Sequence, residues 1–241
     1  MKNKYLFFKL CAALIPWLPA KGTVFNFSDP KETLPYVLQF MPTEPIIVEA
    51  GSFDGNDSVF LATRVPNAKV HSFEPVPELY KKVKIATQNF KNIFTYELAL
   101  SDKNGEAIFH VSELTYQQGT ASASSSLLPP NQYLLNTTPL VFPRKITVRT
   151  ATLDTWAQEN GISHVDLLWL DMQGYELNML KGSPNILKTV KAILTEVEFV
   201  AGYEGQYLYE DVKNFLESEG FELKGLNTAP KWYGDALFIR P

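Results

Sequence analysis

The densest chemistry lies in Val48-Glu-Ala-Gly-Ser-Phe-Asp-Gly-Asn-Asp-Ser58, where Glu49 stands two residues before Gly51 and Asp54 directly before Gly55. The spacing Glu-x-Gly-x-x-x-Gly describes a tight strand-to-helix turn with a carboxylate at its entrance. It differs from Gly-x-Gly-x-x-Gly, whose glycines bring backbone against a pyrophosphate. A carboxylate in the turn disfavours a pyrophosphate and suits a cationic or hydroxyl-rich ligand. S-adenosylmethionine has that chemistry: a sulfonium, an amino-acid end, a ribose and no phosphate. On this reading Gly51 lets the backbone approach the methionyl part, and Glu49 and Asp54 line that pocket through water or the ammonium. Glu74, in Phe73-Glu-Pro75, is placed to accept hydrogen bonds from both ribose hydroxyls, as the second-strand acid does in dinucleotide folds. Asp102, in Ala99-Leu-Ser-Asp102, is a candidate for the adenine amino group. Plainer alternatives stand beside these: Glu74 as a capping or surface acid next to Pro75, and Asp102 as a turn residue in Ser-Asp-Lys-Asn-Gly.

These residues need elements to hold them. An apolar run over 45–50 predicts a buried strand, and 56–64 has helical spacing. Residues 69–74 predict a second strand, 77–89 a helix with Pro77 in its first turn, and 93–100 a third strand. This alternation predicts a mostly parallel sheet with helices on both faces. The pattern then changes. Residues 106–111 alternate like an antiparallel strand that pairs with 145–149. Between them, 112–145 is rich in Ser, Thr, Gln, Pro and Asn, and reads as a long loop, either a functional lid or locally disordered. Alternation resumes with a helix over 153–158, a strongly apolar strand over 165–171, a helix over 176–188 broken at Gly182-Ser-Pro184, a strand over 191–199, a helix over 210–219, and closing strands over 221–226 and 235–240. With no repeat and no linker, the chain reads as an extension over 1–44 and one domain over 45–241, carrying an inserted hairpin and loop at about 104–150.

The ordered set Val48–Ser58, Phe73-Glu-Pro75, Ala99-Leu-Ser-Asp102, Thr152-Leu-Asp-Thr-Trp156, Leu170-Asp-Met-Gln-Gly-Tyr-Glu176, Leu180-Lys-Gly182 and Glu196-Val-Glu198 resembles the FkbM family of methyltransferases. The resemblance runs from about residue 45 to 240. It implies a class I methyltransferase (Rossmann-like) α/β fold, a seven-stranded mostly parallel sheet in the order 3-2-1-4-5-7-6 with strand seven antiparallel. It implies S-adenosylmethionine as the methyl donor, and O-methylation of hydroxyls on sugars, polysaccharides or polyketide-like products. One residue departs from the family pattern Asp-x-Glu-Gly-x-Glu: Gln173 stands at the first Glu.

Ligands of open parallel sheets bind beyond the carboxyl ends of the strands. Asp171 ends the fourth strand of the sheet and Glu198 lies near the end of the fifth. Both are candidates for the base that a poorly nucleophilic alcohol needs, or for groups that orient sugar hydroxyls. Asp171 could instead cap the following helix, and Glu176 is read as stabilising that helix start. Glu196 and Glu198 share one side of their strand. With Asp171 they could hold a metal, but loosely spaced carboxylates are no ligand signature, and the expected metal set is none. His71, His110 and His164 are read as core or surface residues. Tyr116, Tyr133 and Trp232 could stack on sugar faces or simply pack.

Composition sets the outer bounds. Of 241 residues, 45% are hydrophobic and 20% charged, as expected of a globular chain. One cysteine, Cys11, excludes an intrachain disulfide and a Cys/His zinc finger. The net charge of −4 carries no broad basic footprint, so no nucleic-acid partner is expected. Residues 5–20 are apolar after a basic start, but Lys9, Pro16 and Pro19 argue against a signal peptide, and the run is too short and interrupted to span a bilayer. The expectation is a short amphipathic helix that docks on the body or touches a membrane weakly through residues 5–18, in a cytoplasmic protein. The partner is a small-molecule or glycan acceptor. The alternatives are a catalytically idle family member that binds a glycan or protein, and, disfavoured by the first turn, a nicotinamide-dependent oxidoreductase.

Overall fold

The computed structural model describes residues 23–229 and 231–241. Cys11, the apolar segment over 5–20 and the membrane contact expected of residues 5–18 lie outside the described residues. Among the described residues, no helix is long and apolar enough to cross a membrane.

The chain forms α1 (Leu34–Val37), β1 (Ile46–Ala50), α2 (Asn56–Arg64), β2 (Lys69–Phe73), α3 (Pro77–Thr87), β3 (Ile93–Tyr96), β4 (Ala99–Leu100), β5 (Gly105–Leu114), α4 (Gln132–Thr137), β6 (Leu140–Ala151), α5 (Leu153–Glu159), β7 (Leu167–Leu170), α6 (Glu176–Lys181), α7 (Pro184–Leu187), β8 (Ala192–Glu198), α8 (Tyr209–Ser218), β9 (Glu222–Asn227) and β10 (Tyr233–Ile239). The main sheet has seven strands in the order β3-β2-β1-β7-β8-β10-β9. Counting only these strands along the chain, the order is 3-2-1-4-5-7-6. Strand β10 is antiparallel to both neighbours, and the other pairs are parallel. This is the class I methyltransferase arrangement.

Strand alternation divides the core between two faces. Val48, Leu168, Ile193 and Phe238 pack with Trp156, Leu177, Ile186, Val212 and Leu216 from α5 to α8. Ile47, Leu167, Leu194 and Leu237 point the other way, onto Leu61 and Ala62 of α2 and Leu34 and Val37 of α1. Strands buried on both faces must be apolar at successive positions, which is why β1 and β7 read as unbroken runs. At the outer edge of β9, Phe25 makes a one-residue parallel bridge to Gly225. That contact covers part of an otherwise open edge.

Two readings of the sequence are corrected. The run 93–100 is not one strand. Strand β3 pairs with β2, whereas β4 leaves the main sheet and pairs with β6 in a second, three-stranded sheet. Alternating hydrophobicity continues through this change of partner, so periodicity cannot mark it. The expected loop over 112–145 is also shorter, because β5 runs to Leu114 and β6 starts at Leu140. The expected pairing of 106–111 with 145–149 is present, with Glu106 opposite Arg149. The Ser-rich stretch is an ordered strap lying back along β5. His110 and Ser126 exchange backbone hydrogen bonds at 2.8 and 3.1 Å, and Ser112 Oγ lies 2.6 Å from Ser122 Oγ.

Candidate active site

The site lies where the strand order reverses, beyond the carboxyl ends of β1 and β7. There Asp171 N donates to Ala50 O at 2.9 Å, so the loops leaving the two strands touch. Gly51 has φ +95°, and a Cβ on it would sit 1.8 Å from the Asp171 carbonyl oxygen. Its backbone is therefore committed to the neighbouring strand, a cause no local motif reveals. Gly55 (φ +83°) opens α2 and lies against Val83 and Ala86 of α3.

Two cavities flank this junction. The first is a narrow slot of ≈ 50 Å³ between β1, β2, β4 and the strap. Its walls are largely apolar, including Phe53, Leu79, Leu98, Leu100, Phe109 and Leu127, and its polar groups include Glu74, Asp171 and Tyr175. The second is a wider cleft of ≈ 420 Å³ lined by Asp171, Gln173, Glu196, Glu198, Asp235, Tyr203, Tyr133 and Trp232, among others. Ala123 and Asp171 line both, which makes Asp171 the carboxylate between the two compartments.

Glu74 is buried at the end of β2. Its Oε2 accepts from Phe53 N at 2.9 Å and its Oε1 from Val76 N at 2.8 Å. Each oxygen keeps a lone-pair direction for a further donor. Burial outweighs these two bonds and pushes the carboxyl up to about 8. A carboxylate beside apolar walls is what a nucleoside with two ribose hydroxyls requires. The slot is smaller than an apolar cavity that holds benzene.

Glu49, Asp54, Gly55 and Asp102 stand behind these cavities rather than in their walls. Glu49 is buried against Ser58, whose hydroxyl donates to it, and burial raises its carboxyl to about 7. Asp54 accepts from the Asn56 backbone and side chain at 3.0 and 2.7 Å, which ties down the start of α2. Asp102 accepts from the Tyr175 hydroxyl at 2.7 Å. Its backbone also lies so close to Gly182 that a Cβ there would come within 2.4 Å of Asp102 Cα. That contact accounts for the glycine in Leu180-Lys-Gly182.

Glu176 turns back to accept from Met172 N at 2.6 Å, which stabilises the loop before α6, and burial lifts its carboxyl to about 7. In Thr152-Leu-Asp-Thr-Trp156, Asp154 accepts from Asn185 N and Ile186 N at 3.0 and 2.7 Å, so it clips α5 to α7.

The wide cleft is acidic. Glu196 and Glu198 on β8 share a face as expected, and β10 places Asp235 directly opposite Glu196. Burial first, and mutual repulsion second, hold Glu196 well above the ordinary carboxylate range. Glu198 is also held well above that range, by burial and then by the charges of Glu176 and Asp171. Burial and the Asp171 charge lift Asp235 to about 6. Asp171 opens to solvent through the cleft, yet the enclosing walls hold it above the ordinary range, against a 2.7 Å bond from Gln173 Nε2. Gln173 has φ +54° and Phe53 φ +51°. They are the only non-glycine residues with positive φ among the described residues, and both line the cavities. Such a backbone costs about 1–2 kcal/mol and persists where neighbouring contacts hold it.

Of the three aromatics proposed for stacking, Tyr133 and Trp232 line the cleft, and Tyr116 stands outside it, 70% exposed. Among the described residues, no three His, Cys, Asp or Glu side chains are grouped so as to hold a metal ion. His71 is buried and stacked on Phe94 and Tyr96, and burial lowers it to about 4. Asp235 and Tyr203 went unmarked in the sequence because β10 register and the loop after β8 leave no local signal there.

Comparison with known proteins finds relatives in sequence and in fold. The family pattern described as "Methyltransferase FkbM domain" matches residues 49–223. The chain is 31% identical over 180 residues to the 2-O-methyltransferase NoeI of Sinorhizobium fredii, spanning 75% of this chain and 73% of that protein. It is 20% identical over 171 residues to the hexuronic acid methyltransferase AglP of Haloferax volcanii, spanning 69% and 62% of the two chains. Among solved structures, the fibrillarin pre-rRNA processing protein of Methanococcus jannaschii shares the fold, with a TM-score of 0.51 and 13% identity over 89% of this chain and 76% of that one.

Proposed function

Since the chain belongs to the FkbM family of methyltransferases, we propose that it methylates a hydroxyl of a sugar, polysaccharide or similar small acceptor, with S-adenosylmethionine as donor. The donor supplies an activated methyl group on a sulfonium. The observation that carries the reading is the placement of Asp171 in the walls of both the apolar slot and the acidic cleft.

In this reading Glu74 accepts hydrogen bonds from the ribose hydroxyls, the apolar walls of the slot enclose the adenine, and the acceptor occupies the cleft. Asp171 takes the proton from the acceptor hydroxyl, and Glu198 orients the ring through its hydroxyls. Trp232 and Tyr133 offer aromatic faces to a sugar. Among the described residues, neither Lys, Arg nor His lines the cleft. A neutral or amine-bearing ring therefore suits it better than a uronate, unlike the acid that gives AglP its name.

The test combines labelled donor with a cell-surface glycan extract. Asp171→Asn should lower incorporation by about a hundredfold or more, while calorimetry still shows S-adenosylhomocysteine binding. Donor binding without incorporation into any fraction by the unmodified protein would favour the binding-module reading. Absence of donor binding would overturn both.

A further inference from the structure

Gln173 stands between two acids of the cleft. Gln173 Nε2 lies 2.7 Å from Asp171 Oδ1 and 2.7 Å from Glu196 Oε2. A primary amide carries two hydrogens on that nitrogen, one for each carboxylate. Its Oε1 accepts from the Tyr203 hydroxyl at 3.2 Å, and the same hydroxyl lies 2.7 Å from Ser124 O. The opposite amide orientation would set an oxygen against two acids. The Gln173 carbonyl in turn accepts from Ser126 Oγ at 2.8 Å. One residue thus joins the ends of β7 and β8, the loop after β8 and the strap.

We propose that Gln173 is the positioning residue for the base: its amide spans Asp171 and Glu196 and holds the Asp171 carboxylate at the junction of the two cavities, while its backbone carbonyl ties the same loop to the strap. This rests on the reading of Asp171 as the base. The groups around Asp171 are almost all acidic: Glu196 and Glu198 on β8, Asp235 on β10, Glu176 on α6 and Asp57 on α2, with the phenols Tyr203 and Tyr233. Enclosure by the walls, and then the Asp57 charge, favour protonation of Asp171, and hydrogen bonding to Gln173 and to Glu196 opposes it. A glutamate at this position would keep the length of the arm, lose both donors and add a further acid. The amide therefore lets Asp171 ionise at lower pH than a glutamate in its place would.

The test uses two variants. Gln173→Glu keeps the arm and inverts its hydrogen bonding. Gln173→Asn keeps the amide and suits the left-handed backbone, but is one methylene too short to span both acids. Carboxyl-carbon NMR of the full labelled chain, with Asp171 assigned by Asp171→Asn, reads the titration directly and needs no acceptor. Asp171 should titrate about one pH unit higher in both variants, with the larger shift in Gln173→Glu. The acid limb of methyl incorporation into the glycan extract should move upward with it, while S-adenosylhomocysteine affinity and the melting temperature stay near those of the unmodified protein. An Asp171 titration unchanged in both variants would overturn the proposal. If Asp171→Asn transfers methyl at the unmodified rate, the base reading fails instead, and the titration still decides whether Gln173 governs Asp171.

Discussion

Glu74→Gln separates a ribose contact from a structural one, and the geometry sets the size of both effects. The carboxylate accepts one backbone N–H on each oxygen, from Phe53 at 2.9 Å and Val76 at 2.8 Å. An amide offers one oxygen and one NH2, so one of those N–H groups must face a donor. A buried donor left unsatisfied costs about 1–3 kcal/mol, which for a chain of this size lowers Tm by roughly 3–10 °C. The amide also loses an acceptor for one ribose hydroxyl. A hydrogen bond to a charged group contributes about 1.5–3 kcal/mol, so S-adenosylhomocysteine affinity should fall by about 10- to 150-fold. A pH signature accompanies this. Burial pushes the Glu74 carboxyl up to about 8, so at pH 7 the free protein holds it largely protonated. Hydroxyl donors require the ionised form. Donor binding should therefore release a proton, and affinity should rise with pH until about 8. Calorimetry at pH 7 in two buffers of different ionisation enthalpy measures that proton. An affinity within about threefold of the unmodified protein, with the same proton release, would show that Glu74 does not hold the ribose. A fall in Tm alone would leave it only a structural part.

Gly51→Ala should cost about 3 kcal/mol or more, since the new Cβ would lie 1.8 Å from the Asp171 carbonyl oxygen at φ +95°. A melting curve unchanged from the parent would contradict the contact. Stability should fall as pH rises from 5 to 8. The carboxyls of Glu49, Glu176 and Glu74 sit at about 7, 7 and 8 in the folded chain, above their unfolded values. Their contribution is therefore full below about pH 4.5 and is lost as they ionise. The drop should amount to several kcal/mol, read from urea midpoints, and a flat profile would refute it. Because the strap walls the slot, S-adenosylhomocysteine should alter hydrogen exchange at the backbone amides shared by His110 and Ser126. Exchange there indifferent to the ligand would mean that the strap stays still.

The sequence by itself determined the alternation of strands and helices over 45–96 and 153–240, because apolar periodicity, caps and turn residues are local properties of the chain. It also singled out Gly51, Glu74 and Asp171, whose positions at strand ends follow from that alternation. The parting of β3 from β4 was not legible, since both runs are apolar in the same phase and only partner choice distinguishes them. Nor was the order of the Ser-rich strap, which comes from hydrogen bonds to β5 rather than from propensity.

Tertiary structure alone decided the character of the site. Asp171, Glu196 and Asp235 come from three strands far apart in the chain, and their meeting depends on the register of β8 against β10. Enclosure and neighbouring charge then hold Glu196 and Asp235 above the ordinary carboxylate range. The need for glycine at 51 likewise comes from a carbonyl on another strand. The role of Gln173, in sequence a missing charge, emerges only when its amide is seen between two acids it could not be known to touch.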